Sequence, residues 1–213
     1  MLKTRLFIAL FAVTLVSFSQ TESFDNSLDA IQSEIEAKEF IERNKSANGK
    51  VIVFNPVKHK TRFAKDIMAM SVGTKKIDKN NPIPTYYKVI EKNETPFAKA
   101  SAIYFDGNLK TIAEINKIRN LIIKRFKNGY RFEDLARMYS MDKTAQQGGD
   151  LGWFKRGELP QRIENAIFLG NHSVNDIFMV DIPEQNSYYV ILVTADQKLI
   201  EEVKVLKVTE PRK

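Results

Sequence analysis

Three glycines within five residues, Gly148, Gly149 and Gly152, punctuate an otherwise amphipathic stretch and limit what this chain can fold into more than any other segment. Glycine enters the left-handed region without steric penalty, so the segment is predicted to be a tight loop, with Asp150 bonding local amides. Before it, Phe132, Leu135, Ala136 and Tyr139 repeat the i, i+3, i+4, i+7 spacing of a short amphipathic helix. After it, Leu159 to Phe168 carries a second apolar pattern that predicts a helix near 160–168. No strand–glycine loop–helix unit surrounds these glycines, which excludes a nucleotide-phosphate loop.

Strands must cover the apolar faces of those helices. Ala100 to Phe105 reads as a strand closed by Asp106-Gly107, and Ile177 to Ile182, Tyr188 to Thr194 and Val203 to Val208 read as three more. Between them Thr111 to Asn128 is the strongest predicted helix, with Ile112, Ile115, Ile118, Ile122 and Phe126 on one stripe and Gly129 as its stop. Upstream, Leu28 to Asn44 reads as a glutamate-rich helix with Leu28, Ile31 and Ile35 on one face. Val51 to Phe54 reads as a buried strand, 60–70 as a helix with Phe63, Ile67 and Met70 on one face, and Tyr86 to Ile90 as a strand. Lys79 to Pro84 breaks the chain, and Lys92 to Pro96 reads as a boundary. The pattern is α+β, with strands pairing mostly antiparallel. Arg62 to Met68 echoes Arg162 to Phe168, and Tyr86-Tyr87 echoes Tyr188-Tyr189; a degenerate or partial internal copy and coincidence both fit.

Lys3 and Arg5 precede a run from Leu6 to Val16 that is apolar except for Thr14, and Ser17 and Ser19 put small side chains where a signal peptidase reads. This is the three-part secretory pattern, with Gln20 as the expected new N-terminus, and the run is short of the about 20 residues that span a bilayer. The expected location is the periplasm or the cell exterior, with no integral membrane segment after cleavage. The absence of cysteine excludes disulfides, thiolate nucleophiles and cysteine-based zinc sites. The formal charge is +7. Its densest cluster, Lys117, Arg119, Lys124, Arg125 and Lys127, reads as a solvated helix face and, lacking interleaved aromatics, gives no indication of nucleic-acid binding.

The stretch Tyr139-Ser140-Met141-Asp142-Lys143-Thr144-Ala145-Gln146-Gln147-Gly148-Gly149-Asp150-Leu151-Gly152-Trp153-Phe154, with its two flanking helices, resembles the parvulin (rotamase, PpiC-type) family of peptidyl-prolyl cis-trans isomerases. The resemblance covers roughly residues 98–196. It implies a four-stranded antiparallel sheet with flanking helices and prolyl isomerisation without metal or cofactor, and the elements read upstream add a smaller N-terminal α/β region. With the secretory pattern and the N-terminal elements, the expected organisation is a signal peptide over 1–19, an accessory region over 20–96, for which a degenerate half-copy of the family fold is one of the two explanations of the echo, the isomerase-like domain over 97–197, and a C-terminal strand and tail over 198–213.

The resemblance also assigns positions. The family's central cysteine or aspartate falls on Asp142, and the apolar cup that holds proline falls on Leu151, Leu159 and Ile163, the last replacing an aromatic ring. The two family histidines fall on Ala102 and Tyr189, while His59 and His172 match neither place and read as surface or loop residues. Amide rotation needs no nucleophile: the barrier is about 18–20 kcal/mol, and a catalyst must bind the twisted amide better than either planar form. A carboxylate at Asp142 would disfavour the carbonyl charge of the conjugated amide, and a phenol at Tyr189 offers a donor in place of a histidine. The expected partners are unfolded or proline-containing polypeptides. An enzyme assisting secreted or outer-membrane proteins and a non-catalytic chaperone or adaptor both fit, and the N-terminal region would widen the peptide surface or mediate oligomerisation.

Overall fold

The computed structural model describes residues 24–80 and 82–210, so the signal-peptide reading of 1–19 lies outside the described residues. Among the described residues no helix is long and apolar enough to cross a membrane.

Two long strands carry the architecture. β3 (Thr85–Asp106) and β6 (Ser187–Thr209) pair antiparallel over their whole length, from Thr85 opposite Thr209 to Asp106 opposite Ser187. At one end, β1 (Lys50–Phe54) joins β6 and β2 (Lys75–Asp78) joins β3. At the other, β4 (Asp150–Phe154) joins β3 and β5 (Ile177–Ile182) joins β6. One six-stranded antiparallel sheet thus serves two lobes, ordered β1–β6–β3–β2 and β4–β3–β6–β5.

Each spine strand reads from sequence as two separate strands, and the structure joins them. Pro96 stands inside β3 opposite Leu199, in the stretch between the β2 and β4 pairings where β6 is the only neighbouring strand. There a missing N–H does not interrupt a second ladder. The boundary placed at 96/97 therefore falls within a continuous strand, and that at 197/198 falls within β6. Register shifts near Val89 and Lys99 bracket the single-sided stretch. β2 had no counterpart in the sequence reading.

The N-terminal helices also differ. The single helix expected over Leu28 to Asn44 is two, α1 (Phe24–Asp29) and α2 (Glu34–Arg43). Ser33 starts the second with a capping box, its hydroxyl accepting from the Glu36 N–H while the Glu36 carboxylate accepts from the Ser33 N–H. The break rotates Ile35 out of the stripe, leaving it 72% exposed. α3 (Arg62–Ala69), capped by Thr61, buries Ala64 and Ile67 against Phe54, Tyr87 and Val203.

In the C-terminal lobe α4 (Ile112–Lys127) opens on a Thr111–Glu114 capping box, followed by α5 (Phe132–Tyr139) and α6 (Gln161–Leu169). Ile115 and Ile122 face the sheet as expected, whereas Ile112, in the first turn, is exposed. Arg119 is not on a solvated face. It is 2% exposed, ion-paired with Asp181 on β5, and donates to Asn116 and to the Tyr189 carbonyl. The 3.6-residue period places it between Ile115 and Ile122, so its stem packs with them while its head reaches a strand carboxylate.

Glu202, buried midway along β6, joins the lobes. It accepts from Lys155 at 2.7 and 2.9 Å, from Asn55 at 3.2 Å and from Thr95 at 3.1 Å. Burial pushes its pKa up, but the Lys155, Asn55 and Thr95 donors outweigh that and hold it below the usual glutamate value. A depressed folded-state pKa contributes stability that is present above the unfolded value and lost as pH falls through the folded one. Glu202→Gln is therefore expected to be less stable than wild type at neutral pH. It should also lose less of its urea midpoint between about pH 6 and pH 3. Parallel urea titrations at the two pH values measure both effects, and equal losses in the two proteins would dismiss the clasp.

Candidate active site

The loop between α5 and β4 is held against β3 by two backbone–backbone bonds and one hydroxyl. After α5 the chain makes a 3-10 turn, Lys143–Gln147, with Asp142 at its N-cap and Gly148 closing it at φ 71°. The Ala102 N–H donates to the Gly149 carbonyl at 2.8 Å, and a Cβ on Gly149 would lie 2.3 Å from the Ala102 carbonyl oxygen. One turn earlier, the Met141 N–H donates to the Tyr104 carbonyl and the Tyr104 N–H to Ser140 Oγ, both at 2.9 Å. The close approach at Gly149, which only a residue without a side chain permits, fixes where Asp142 sits relative to β3.

Asp142 is partly buried and already engaged. Ser140 Oγ donates to its carboxylate at 2.7 Å and Thr144 Oγ1 at 2.8 Å. Two hydroxyls thus orient the charged group, one of them also receiving the β3 amide. The alternate spacing of Ser140, Asp142 and Thr144 was visible in the sequence, but the hydroxyls' function was not read from it.

Ala102, Leu151, Leu159, Ile163 and Tyr189, drawn from β3, β4, the loop before α6, α6 itself and β6, meet in one apolar cluster. Ile163 and Ala102 are buried, while Leu151, Leu159 and Tyr189 remain partly exposed and form the accessible wall. Tyr189 lies against Tyr104 with ring centroids 5.3 Å apart. Burial raises the Tyr189 pKa above the usual phenol value; Ser187 opposes this, and the neighbouring Tyr104 and the negative charge of Asp142 reinforce it. Ser140 Oγ, which donates to Asp142 and accepts from the Tyr104 N–H, ties the carboxylate to the residue whose ring lies against Tyr189, and Tyr189 stays a neutral hydroxyl at physiological pH.

Glu164 was not picked out from the sequence. It is 4% exposed, and its carboxylate accepts from the Glu158 and Leu159 N–H groups, each at 2.9 Å. Burial pushes its pKa up, and the Gly157, Leu159 and Glu158 amides more than reverse this. It positions the turn that presents Leu159. His172, read as a surface or loop residue, lies in the loop after α6 and stacks on Phe178 at 3.8 Å with the rings 8° from parallel, and Phe178 packs on the same cluster. His59 accepts from the Asn55 N–H and lies edge-on to Phe54 in the other lobe, far along the chain from this cluster.

The comparisons with known proteins bear on this lobe. The model of a family described as PPIC-type PPIASE domain matches residues 85–197, just over half of the chain. Foldase protein PrsA of Bacillus subtilis is 37% identical over 83 residues, 38% of this chain and 27% of that protein. Peptidyl-prolyl cis-trans isomerase PIN4 of Gibberella zeae is 35% identical over 72 residues, 33% of this chain and 53% of that protein. The crystal structure of PrsA from Bacillus subtilis is similar at 29% identity with a TM-score of 0.39, covering 47% of this chain and 35% of that one. The chain thus spans between about a quarter and a half of the length of these relatives.

Proposed function

The chain belongs to the PPIC-type PPIase family, and from that premise we propose that it is an exported peptidyl-prolyl cis-trans isomerase assisting the folding of secreted or outer-membrane proteins. The observation that carries this reading is the convergence of Leu151, Leu159, Ile163, Ala102 and Tyr189 in one apolar cluster bordered by the Asp142 carboxylate. The secretory pattern of residues 1–19 supports export.

In this mechanism the proline ring of an unfolded client rests against Leu151 and Leu159, which Ile163 backs from beneath, and the preceding carbonyl is left to swing. Planar prolyl amides carry partial negative charge on that oxygen through conjugation. An oriented carboxylate nearby disfavours this charge and so favours the twisted, unconjugated amide, which is differential binding of the transition state. The Tyr189 hydroxyl, protonated throughout the physiological range, is available as a donor. Amide rotation transfers no proton and Tyr189 keeps its own, so the rate should be nearly flat around neutral pH.

A second reading, a non-catalytic holdase or adaptor, draws on Ile163. An aliphatic residue there excludes water but lacks the aromatic face that stacks on proline. The two readings separate in the refolding of a client whose slow phase is limited by one prolyl bond. An isomerase shortens that phase at catalytic concentrations, and Asp142→Ala should lose about tenfold or more of the acceleration. Suppressed aggregation with an unchanged slow phase would favour the holdase, and an Asp142→Ala protein as active as wild type would refute the assigned role.

A further inference from the structure

The element order of the chain runs twice. α1, α2, a 3-10 turn, β1, α3, β2 and β3 are followed by α4, α5, a 3-10 turn, β4, α6, β5 and β6, the second series having one further 3-10 turn, Pro183–Gln185, before β6. From the turns onward the starts pair as Lys45 with Lys143, Lys50 with Asp150, Arg62 with Gln161, Lys75 with Ile177 and Thr85 with Ser187, at a nearly constant interval. The strand orders match as well. In the C-terminal lobe the second half of β3 lies between β4 and β6; in the N-terminal lobe the second half of β6 lies between β1 and β3. Each copy therefore lends its long strand to the other.

Side chains follow the same correspondence. Asn48 ends its 3-10 turn left-handed at φ 46°, as Gly148 does, and Gly49 follows it as Gly149 does. Phe54 and Phe154 are both buried, as are Ile67 and Ile167, and Phe63, Met68 and Tyr87 take the places of Ile163, Phe168 and Tyr189. Tyr87 is stacked edge-on by Phe63 at 4.8 Å, and Lys207 lies over its ring at 5.6 Å, where Tyr104 lies against Tyr189 in the other lobe. Asn44 stands at the N-cap that Asp142 occupies. The carboxylate is absent from this copy, and the apolar wall is retained.

We propose that the N-terminal lobe is a second parvulin-type lobe whose wall of Ile52, Phe63, Met68 and Met70 binds extended polypeptide, selecting apolar residues flanked by carboxylates. This rests on the client-binding reading given above. The four wall residues are partly exposed around buried Tyr87. The charge around them sets the preference. Lys76 lies over the Phe63 ring at 5.7 Å and Lys207 over Tyr87 at 5.6 Å, while Asp66 is already engaged by Lys76 at 2.7 Å. Lys60, Arg62 and Lys65 stand exposed just before and within the first turn of α3. The equivalent segment of the C-terminal lobe, residues 160–165, instead carries Arg162 as its one cation, paired with Glu184 at 3.0 Å. A cationic rim on an apolar wall complements an acidic client segment. With asparagine at the cap this lobe binds without rotating the prolyl bond, holding a client beside the catalytic lobe.

The test is methyl-resolved NMR of the full chain titrated with two blocked peptides, Ala-Glu-Pro-Phe-Glu-Ala and its counterpart with lysines for the glutamates. The glutamate peptide is expected to shift the methyls of Ile52, Met68 and Met70. The double charge reversal Lys60→Glu with Arg62→Glu should weaken that binding by about fivefold without moving the shifts of Leu151 and Leu159. Shifts confined to Leu151, Leu159 and Ile163 would overturn the second site and leave the isomerase reading standing. Shifts in neither lobe would overturn both.

Discussion

Removing residues 198–213 is expected to unfold the N-terminal lobe while the C-terminal lobe stays folded. The deleted segment is an inner strand of the first sheet, flanked by β1 and β3, and it contributes Ile200, Val203, Val205, Leu206 and Val208, all buried. At roughly 1.5–3 kcal/mol for each fully buried aliphatic side chain, the loss is on the order of 10 kcal/mol, comparable to the whole stability of an ordinary domain. Deletion also removes Glu202 and with it the clasp from Lys155 and Asn55. The C-terminal lobe keeps β4, β5 and the halves of β3 and β6 that pair with them. Amide exchange should show protection lost from β1, α3 and β2 and retained in α4 and β5. Retained protection throughout would mean that the terminal strand is dispensable.

The second large effect is expected from Gly149→Ala. Its φ of 76° costs a side-chain-bearing residue about 1–2 kcal/mol. The new methyl would also press on the Ala102 carbonyl oxygen, backbone that cannot step aside without breaking the 2.8 Å bond tying loop to strand. The sum is about 3 kcal/mol or more, a fall in melting temperature of roughly 6–12 °C for a chain of this size. Gly157→Ala is the control, since Gly157 has φ 89° but open space where its Cβ would be. It should cost only the backbone part. Equal losses in the two variants would dismiss the close approach, and thermal melts of both decide it. Because the same bond places Asp142, Gly149→Ala should also lose isomerase rate at temperatures where it is still folded.

Much of the C-terminal lobe was legible because its signals are local. The periods of α4 and α5, the turn glycines and the Tyr139–Phe154 stretch each lie within a few turns of chain, and Leu151, Leu159 and Ile163, which the family resemblance singled out, lie in one cluster. What was not legible depends on distant partners. The unity of β3 and β6 rests on pairing between residues about 80 to 125 apart in the chain, and Pro96 masked it by mimicking a boundary. Arg119 looked like one more surface cation, because its burial needs Asp181 on a strand that the sequence does not place beside α4. Glu164 likewise looks like an ordinary helix glutamate until the turn before α6 folds over it and presents two amides. The N-terminal sheet was opaque for the same reason: one of its two inner strands comes from the other copy.

The central claim is that the cluster of Leu151, Leu159, Ile163 and Tyr189, with the Asp142 carboxylate at its edge, turns X-Pro bonds. Exchange NMR on a short X-Pro peptide reads this without any coupled reaction. Uncatalysed isomerisation takes tens to hundreds of seconds, so cis and trans signals do not exchange within a mixing time of about a second. Catalytic amounts of the full chain are predicted to produce cis–trans cross-peaks within that time, and Asp142→Ala should remove most of their intensity. Peptide-induced shifts at Leu151, Leu159 and Tyr189 with no cross-peaks at any protein concentration would contradict the claim and leave a peptide-binding groove in its place.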